Sequence, residues 1–245
     1  MKCKNCDHIF EGNFCSHCGQ NSSVKRISLS NFLSEFSESV FQINRGFFFT
    51  IRELSVRPGY SLKEYLSGKR QQHYKPLAYV LIMSTFYFLI SQCMSQDTML
   101  GDMITSFVQG FNDQNTGIQL PIQTWLIKNY AYSTLLLLPI FSLASFLSFR
   151  KQKINLAEHL VINSYITGQQ AIYYTIITIV LNFIESNILE LFLIALATSY
   201  TGWVYSQLFK GETLAGNILR TILTYILYFT FVSILTFGTL TIYDF

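Results

Sequence analysis

The sequence predicts an all-α membrane protein in which several helices cross the bilayer behind a small cysteine-rich N-terminal unit. Only 13% of the 245 residues are charged, whereas about 25% is typical of a soluble domain. The mean hydropathy is +0.32. Five stretches carry no charged residue, and four of the five cysteines fall within the first 18 positions. The net charge of +3 is modest, so the composition gives no strong signal for nucleic-acid binding.

A bundle of five transmembrane helices is the prediction for residues 76–245. Each charge-free stretch is close to the roughly 20 apolar residues that one transmembrane helix needs. The predicted spans lie near 76–96, 129–149, 160–184, 191–209 and 221–243. Lys and Arg concentrate in alternate connections, with Lys128 as the exception, and such residues mark cytoplasmic loops. The N-terminus is therefore expected in the cytoplasm and the C-terminus outside.

Residues 24–75 are expected to form amphipathic helices on the cytoplasmic surface of the membrane. Apolar residues recur at helical spacing over 29–41 and again over 47–54. Ser61 and Glu64 match a capping box that would start a further short helix, and Gly68 is placed to end it. Basic residues that are candidates for binding lipid headgroups or phosphate are Arg57, Lys63, Lys69, Arg70 and Lys75. The alternative is that they only anchor the chain to anionic lipid.

Residues 1–23 are predicted to form a zinc ribbon. Two C-x2-C pairs stand eight residues apart, and their members are Cys3, Cys6, Cys15 and Cys18. Each pair places two thiolates on one side of a tight turn, and two such turns complete a closed tetrahedral site for a structural zinc ion. Gly19 follows the second pair, where the turn often needs a positive φ. A redox role for the pairs is the alternative, and His8 and His17 are possible substitute ligands.

The third predicted span carries polar residues along one face. Offsets of four, eleven and fifteen residues from His159 place these side chains on one side of a helix. With the acidic residue beside them, they are Glu158, His159, Asn163, Gln170 and Tyr174. Polar side chains are costly in lipid and face the interior of a bundle. They form either a polar groove for a lipid headgroup, an ion or a small solute, or a set of interhelical hydrogen bonds.

Several short motifs resemble those of a known family. The cysteine unit is followed by Gly19 and Gln20. The other matching motifs are Arg57-Pro58-Gly59, the run from Glu64 to Arg70, Tyr74-Lys75-Pro76 and Glu158-His159-Leu160-Val161. Together they resemble the family called domain of unknown function 3667, small bacterial multi-pass membrane proteins with an N-terminal zinc ribbon. The resemblance implies this architecture and a location in the bacterial inner membrane, and it implies no established activity.

Two functions are compatible with these features, and no residue is assigned a catalytic role because no catalytic motif is present. The first is a non-enzymatic sensor, scaffold or oligomeric pore whose cytoplasmic ribbon binds a protein partner. The alternative is a membrane enzyme or carrier that acts on lipid or a small solute through the polar face of the third span. An enzyme should show Glu158 and His159 in a pocket at the headgroup level. A scaffold should pack them against a neighbouring helix. The expected partners are the bilayer, a cytoplasmic protein and, for a pore, further copies of the chain.

Overall fold

The computed structural model describes residues 1–32, 45–98, 101–102, 105, 121–184, 186–209 and 213–243. These residues form helices, turns and two isolated β-bridges, and they contain no extended strand. The α-helices whose bounds the structure describes are α1 Arg45–Val56, α2 Pro58–Ser67, α3 Pro76–Cys93, α4 Pro121–Lys128, α5 Tyr130–Ser148, α6 Leu156–Phe183, α7 Asn187–Leu208 and α8 Leu214–Tyr243. A short 3₁₀ helix, Arg150–Gln152, lies between α5 and α6.

The region before the first apolar helix contains α1 and α2. Most of the amphipathic helix predicted over 29–41 lies outside the described residues, as does most of the segment 97–124 between the first two predicted spans. The second predicted amphipathic helix is α1. Its Phe47 and Leu54 are buried, while Phe48 on the other side is 69% exposed. The helix therefore has one apolar face packed on the protein and one aromatic residue available to the surroundings.

The short helix α2 begins earlier than predicted. It starts at Pro58 after an N-cap at Arg57 that makes no side-chain cap hydrogen bond. The capping box expected at Ser61 and Glu64 is therefore wrong, because both residues lie inside the helix. Proline suits the first position of a helix, because a backbone N–H at that position would have no hydrogen-bond partner within the helix. The predicted end is confirmed, because Gly68 takes a left-handed conformation with φ 114°.

Four of the described helices are long and apolar enough to cross a membrane. They are Pro76–Cys93, Tyr130–Ser148, Ile188–Leu208 within α7 and Leu214–Leu235 within α8. The sequence predicted a fifth span at 160–184, which falls in α6. That helix has 28 residues, or about 42 Å at 1.5 Å per residue, so its length is sufficient. Its many amide, hydroxyl and imidazole side chains make it more polar than the other four.

Helix α6 lies at the centre of the bundle and packs against α3, α5 and α7. This position explains its polar composition, because its side chains meet protein on several sides. Tyr79 of α3, Tyr165 of α6 and Tyr205 of α7 have no exposed surface. Gly168 allows the close contact with α3, since a Cβ at this position would come within 2.6 Å of the Tyr79 ring.

Candidate metal centre and its junction with the membrane bundle

The four N-terminal cysteines form one compact cluster. Their sulfur atoms lie within 4.8 Å of one another, and Sγ of Cys3 and Cys18 are 3.6 Å apart, as are those of Cys6 and Cys15. Thiolates that bind zinc tetrahedrally at about 2.3 Å are about 3.8 Å from each other. The observed spacing fits such an ion and is far longer than a disulfide bond of about 2 Å. The cluster could therefore hold a metal ion.

The two halves of the cluster are built alike. An antiparallel bridge flanks each cysteine pair, Lys2 with Ile9 and Phe14 with Asn21. In the first half the backbone N–H of Cys3 donates to the carbonyl of His8, and in the second Cys15 donates to Gln20, at 2.9 and 2.8 Å. These bonds close the two turns that present the sulfur atoms. The two cysteine pairs therefore form two separate knuckles.

A residue with positive φ follows the second cysteine of each pair. Gly19 has φ 74°, as the sequence indicated, and Asp7 has φ 61° at the matching place in the first pair. Aspartate tolerates this conformation better than most non-glycine residues. Comparing the two pairs position by position would have identified Asp7 from the sequence. Of the histidines considered as substitute ligands, His8 and His17 are exposed and lie against each other, with ring centroids 5.6 Å apart.

Gln20 fastens the cysteine unit to the end of α2. Its side-chain N–H donates to the carbonyl of Gly68 at 2.7 Å, and its side-chain oxygen accepts from the backbone N–H groups of Arg70 and Gln71. The residue is 3% exposed. Lys4 adds a hydrogen bond to the carbonyl of Val24 at 2.9 Å. A buried amide group whose hydrogen bonds are made holds the two parts that it joins in one relative orientation.

Arg26 joins the segment after the ribbon to the first turn of α6. Its guanidinium donates to both carboxylate oxygens of Glu158 at 2.8 Å and to the carbonyl of Lys153 at 2.9 Å. Glu158 also accepts the backbone N–H of Asn155, whose side chain caps the helix in return. A fork of two parallel hydrogen bonds is the strongest arrangement of an arginine and a carboxylate. Asn155 contributes a further hydrogen bond to the carbonyl of Ile27 at 3.1 Å.

The basic residues proposed for lipid headgroups have varied surroundings. Arg57 forms ion pairs with Glu53 and Glu64. Arg70 donates to the carbonyls of Tyr65 and Lys25 and lies over the Tyr65 ring. Both guanidinium groups thus contact protein acceptors.

The three lysines of the same set differ in exposure. Lys69 is 4.0 Å from Glu64, Lys63 is exposed, and Lys75 is half-buried at the N-cap of α3. Binding of lipid headgroups by any of the five basic residues stays a prediction.

The polar face of α6 divides into two sites. Near the N-terminal end of α6, His159 Nδ1 is 2.9 Å from Ser145 Oγ, and Asn163 donates to the same hydroxyl at 2.8 Å. The hydroxyl of Tyr205 donates to Asn163 at 2.8 Å. His159 has no exposed surface and packs against the rings of Phe146 and Phe209. This first site is an interhelical hydrogen-bond network between α5, α6 and α7.

The second site lies further along α6, where Gln170 and Tyr174 line a cavity shared with α5, α7 and α8. Gln170 donates to the carbonyl of Ala197 and to Thr201, both at 3.2 Å. Sequence reasoning missed Gln169, which accepts a 2.6 Å hydrogen bond from Tyr79 and donates to Ser55. The sequence signal for Gln169 was its position next to Gln170, because two adjacent amide side chains on a helix point in different directions and so meet different neighbours.

Together, the four apolar helices and the cysteine cluster define an α-helical multi-pass membrane protein with a candidate metal centre at its N-terminal end. Residues 44–88 match the model of the family described as Protein of unknown function (DUF3667), which supports the resemblance that the sequence motifs indicated over this part of the chain. The match runs from α1 into α3 and includes Arg57-Pro58-Gly59 and the run from Glu64 to Arg70. No curated protein and no solved structure matches the chain.

Proposed function

We propose that the protein is a non-enzymatic membrane scaffold or sensor whose zinc ribbon binds a cytoplasmic protein. One observation carries this proposal: the ribbon is fastened to the bundle on one side and presents apolar side chains on another. Gln20 and Arg26 make the attachment. Ile9 and Phe14 of the ribbon are 78% and 63% exposed. In this proposal, Ile9 and Phe14 are the apolar part of the surface that the partner protein covers, since contiguous exposed apolar surface marks protein-binding sites.

Zinc is the proposed metal because four thiolates are its preferred closed ligand set. The fit of the 3.6 Å sulfur spacing supports this assignment. A site closed by four protein ligands leaves no position for water, so the ion would be structural. Within residues 1–23, the buried apolar cluster consists of Cys3, Phe10 and Cys15, with Cys6 and Cys18 partly buried against it, and this is too little apolar material to fold the unit without a metal.

Five spans with the N-terminus in the cytoplasm are the proposed topology. The connection from α5 to α6 covers only residues 149–155, and that from α6 to α7 only 184–186. Because α6 packs against both of these helices and is long enough, it crosses the bilayer wherever they do. The placement of Lys and Arg in alternate connections supports the orientation in a bacterial inner membrane.

The surroundings of Glu158 and His159 favour a scaffold over an enzyme. His159 is enclosed by α5 and α7, and the Glu158 side chain is 8% exposed and paired with Arg26. Glu158 lines a polar cavity of about 290 Å³ together with Lys4, Arg26 and Arg70, but its carboxylate is already paired with Arg26 and is not a free acid or base there. The alternative function, a carrier for lipid or a small solute, is supported by the separate cavity at Gln170 and Tyr174. Attachment to anionic lipid and self-association stay predictions.

Site-specific photo-crosslinking in cells tests the docking surface. A photoreactive amino acid at Phe14 or Ile9 should yield a discrete protein adduct of one mass. The same probe at Lys4, which faces α2 and Val24, is the matched control and should not yield it. The adduct formed from Phe14 should disappear when Ile9 is replaced by serine, because the partner then loses half of its apolar contact.

Two results would contradict the proposal. One is an adduct of the same mass from Lys4, which would mean that the crosslinks are not specific to the exposed apolar face. The other is the absence of any protein adduct from both Phe14 and Ile9 in a protein that expresses normally and retains its zinc.

A further inference from the structure

A cavity of about 170 Å³ lies between α5, α6, α7 and α8. Aromatic rings and hydroxyl groups form much of its wall, including Tyr174, Tyr225, Tyr228 and Phe141. The described residues that line the cavity carry no carboxylate, ammonium or guanidinium group, and tyrosine is neutral at neutral pH. Since an unpaired charge is very costly within a bilayer, an occupant of this cavity has to be uncharged.

Two hydroxyl groups in the wall have unused hydrogen-bonding capacity. Tyr225 shares a 2.9 Å hydrogen bond with Thr201. By contrast, Tyr174 and Tyr228 make ring contacts, and their hydroxyls form no hydrogen bond with another described residue. A hydroxyl in apolar surroundings gains most from an acceptor. The cavity therefore suits a molecule that offers carbonyl oxygens to two donors and a flat face to the rings.

A larger groove continues from the cavity. It measures about 730 Å³, lies between α7 and α8, and shares Thr198, Tyr225 and Phe229 with the cavity. Apolar side chains such as Ile218 and Ile222 line it. Only 11% of the apolar stretch of α8 is buried within the protein, so this side of the bundle faces lipid. The groove can accept an apolar chain directly from the bilayer.

We propose that the cavity and groove bind an uncharged lipid whose head is a single flat ring with carbonyl groups, the chemistry of an isoprenoid benzoquinone. The ring lies in the cavity, where Tyr174 and Tyr228 donate to its oxygens, and the chain lies in the groove. A cavity of about 150 Å³ in another protein accepts one benzene ring, so the volume is of the right order. This inference goes beyond the proposed docking function and does not depend on it.

Tryptophan fluorescence provides a direct binding test. The chain has two tryptophans, and one of them, Trp203, lines the groove. A Trp125→Phe background leaves Trp203 as the only reporter, and decylubiquinone should quench it in a saturable manner in detergent. The double change Tyr174→Phe and Tyr228→Phe keeps both rings and removes both hydroxyls. It should raise the Kd about tenfold or more, because each lost hydrogen bond weakens binding.

The controls separate ring recognition from simple partitioning into the groove. Tyr132→Phe changes a tyrosine of α5 that is 63% exposed, and it should leave the Kd unchanged. Decanol, which has a chain of the same length without the ring, should fail to compete. Quenching that never saturates, an unchanged Kd in the double variant, or competition by decanol as strong as by the quinone would each overturn the proposal.

Discussion

Glu158 serves two elements with one carboxylate. It closes the cap of α6 through the Asn155 backbone and binds Arg26 of the segment that follows the ribbon. Burial is the largest influence on this carboxyl and acts to raise its pKa. The hydrogen bonds from Arg26 and Asn155 outweigh it, so the pKa lies below the ordinary value of 4.5. The folded protein thus favours the ionised form, and the junction depends on that charge.

We expect Glu158→Gln to lower the free energy of unfolding at pH 7 by about 1 kcal/mol, because it removes the charge and keeps the shape. The value is small since the Arg26 side chain is 62% exposed. A carboxyl whose pKa is depressed by folding contributes stability above its unfolded pKa and loses it as the pH falls through the folded pKa. Thermal unfolding in detergent from pH 7 down to about pH 3 should therefore show that the native protein loses more stability than the variant, mainly below about pH 4.5. Equal losses in both would contradict this role.

The cysteine cluster makes a prediction about metal content. The purified protein should contain about one zinc ion per chain, since a closed four-thiolate site binds one ion. Elemental analysis of the Cys15→Ser, Cys18→Ser double variant should show that zinc is lost. Cys93→Ser is the matched control, because Cys93 is exposed and remote from the cluster in the sequence. Zinc content that is unchanged in the double variant would exclude this centre.

At the scale of elements, the contact of α2 with α7 depends on Gly59. A Cβ at this position would lie 2.6 Å from the carbonyl oxygen of Val204 and 2.7 Å from the backbone nitrogen of Leu208. The Gly59 backbone N–H also donates to the side chain of Gln207 at 3.0 Å. Backbone atoms cannot move aside as a flexible side chain can. The Arg57-Pro58-Gly59 motif therefore starts α2 and lets it approach the membrane bundle closely.

Gly59→Ala should destabilise the protein by about 1–3 kcal/mol, the usual cost of added volume in a packed contact. Gly202→Ala is a suitable control, because its nearest contact would be an ordinary 3.8 Å from Thr221. In a helix interior that change should be neutral or stabilising, since alanine has the higher helix propensity. Thermal unfolding of the two variants in detergent measures the difference. Equal stability of both variants would show that α2 does not pack on α7 in this way.

At the scale of the whole molecule, the number of membrane-spanning helices decides on which side of the membrane each terminus lies. Five crossings place the termini on opposite sides of the membrane, and four place them on the same side. The structure contains four strongly apolar helices and a fifth, α6, whose polar groups are buried among its neighbours. Apolarity alone therefore undercounts the helices that a bundle can hold within the bilayer.

A reporter that is active only outside the cytoplasm should be active when fused after Phe245 or inserted near Gly110. It should be silent near Lys151, because that connection carries three basic residues between 150 and 153. A second reporter that is active only in the cytoplasm, placed at the same positions, is the control for expression. Activity of the first reporter at Lys151 would be incompatible with the five-span topology.

Much of this architecture could be predicted because it depends on local signals. Thiolate spacing identifies Cys3 and Cys18 as members of one cluster, and charge-free length identifies the apolar helices. The junction could not be predicted in the same way. Arg26 and Glu158 are separated by 132 positions, and nothing in their local sequence indicates a partner. The same applies to Tyr205 with Asn163, whose contact depends on how α6 and α7 pack.

The polar face of α6 was found by helical spacing, yet its division into two sites was not. His159 and Gln170 lie on one face of α6, but they meet side chains of different neighbouring helices. α5 supplies Ser145 at one end, and α8 supplies Tyr225 at the other. Periodicity shows which side of a helix turns inward. It carries no information on which helix stands opposite at each depth.

The composition of α6 also has a consequence for how the chain enters the membrane during synthesis. A segment that contains His159, Asn163, Gln169 and Gln170 gains little by leaving the translocon for lipid on its own. Asn163 pairs with Ser145 of α5 and Gln169 with Tyr79 of α3, whereas Gln170 pairs with Ala197 and Thr201 of α7. In the five-span topology that we propose, we therefore expect α6 to be retained at the translocon until a neighbouring helix is present. The order of synthesis suits this requirement, because α3 and α5 emerge from the ribosome before α6.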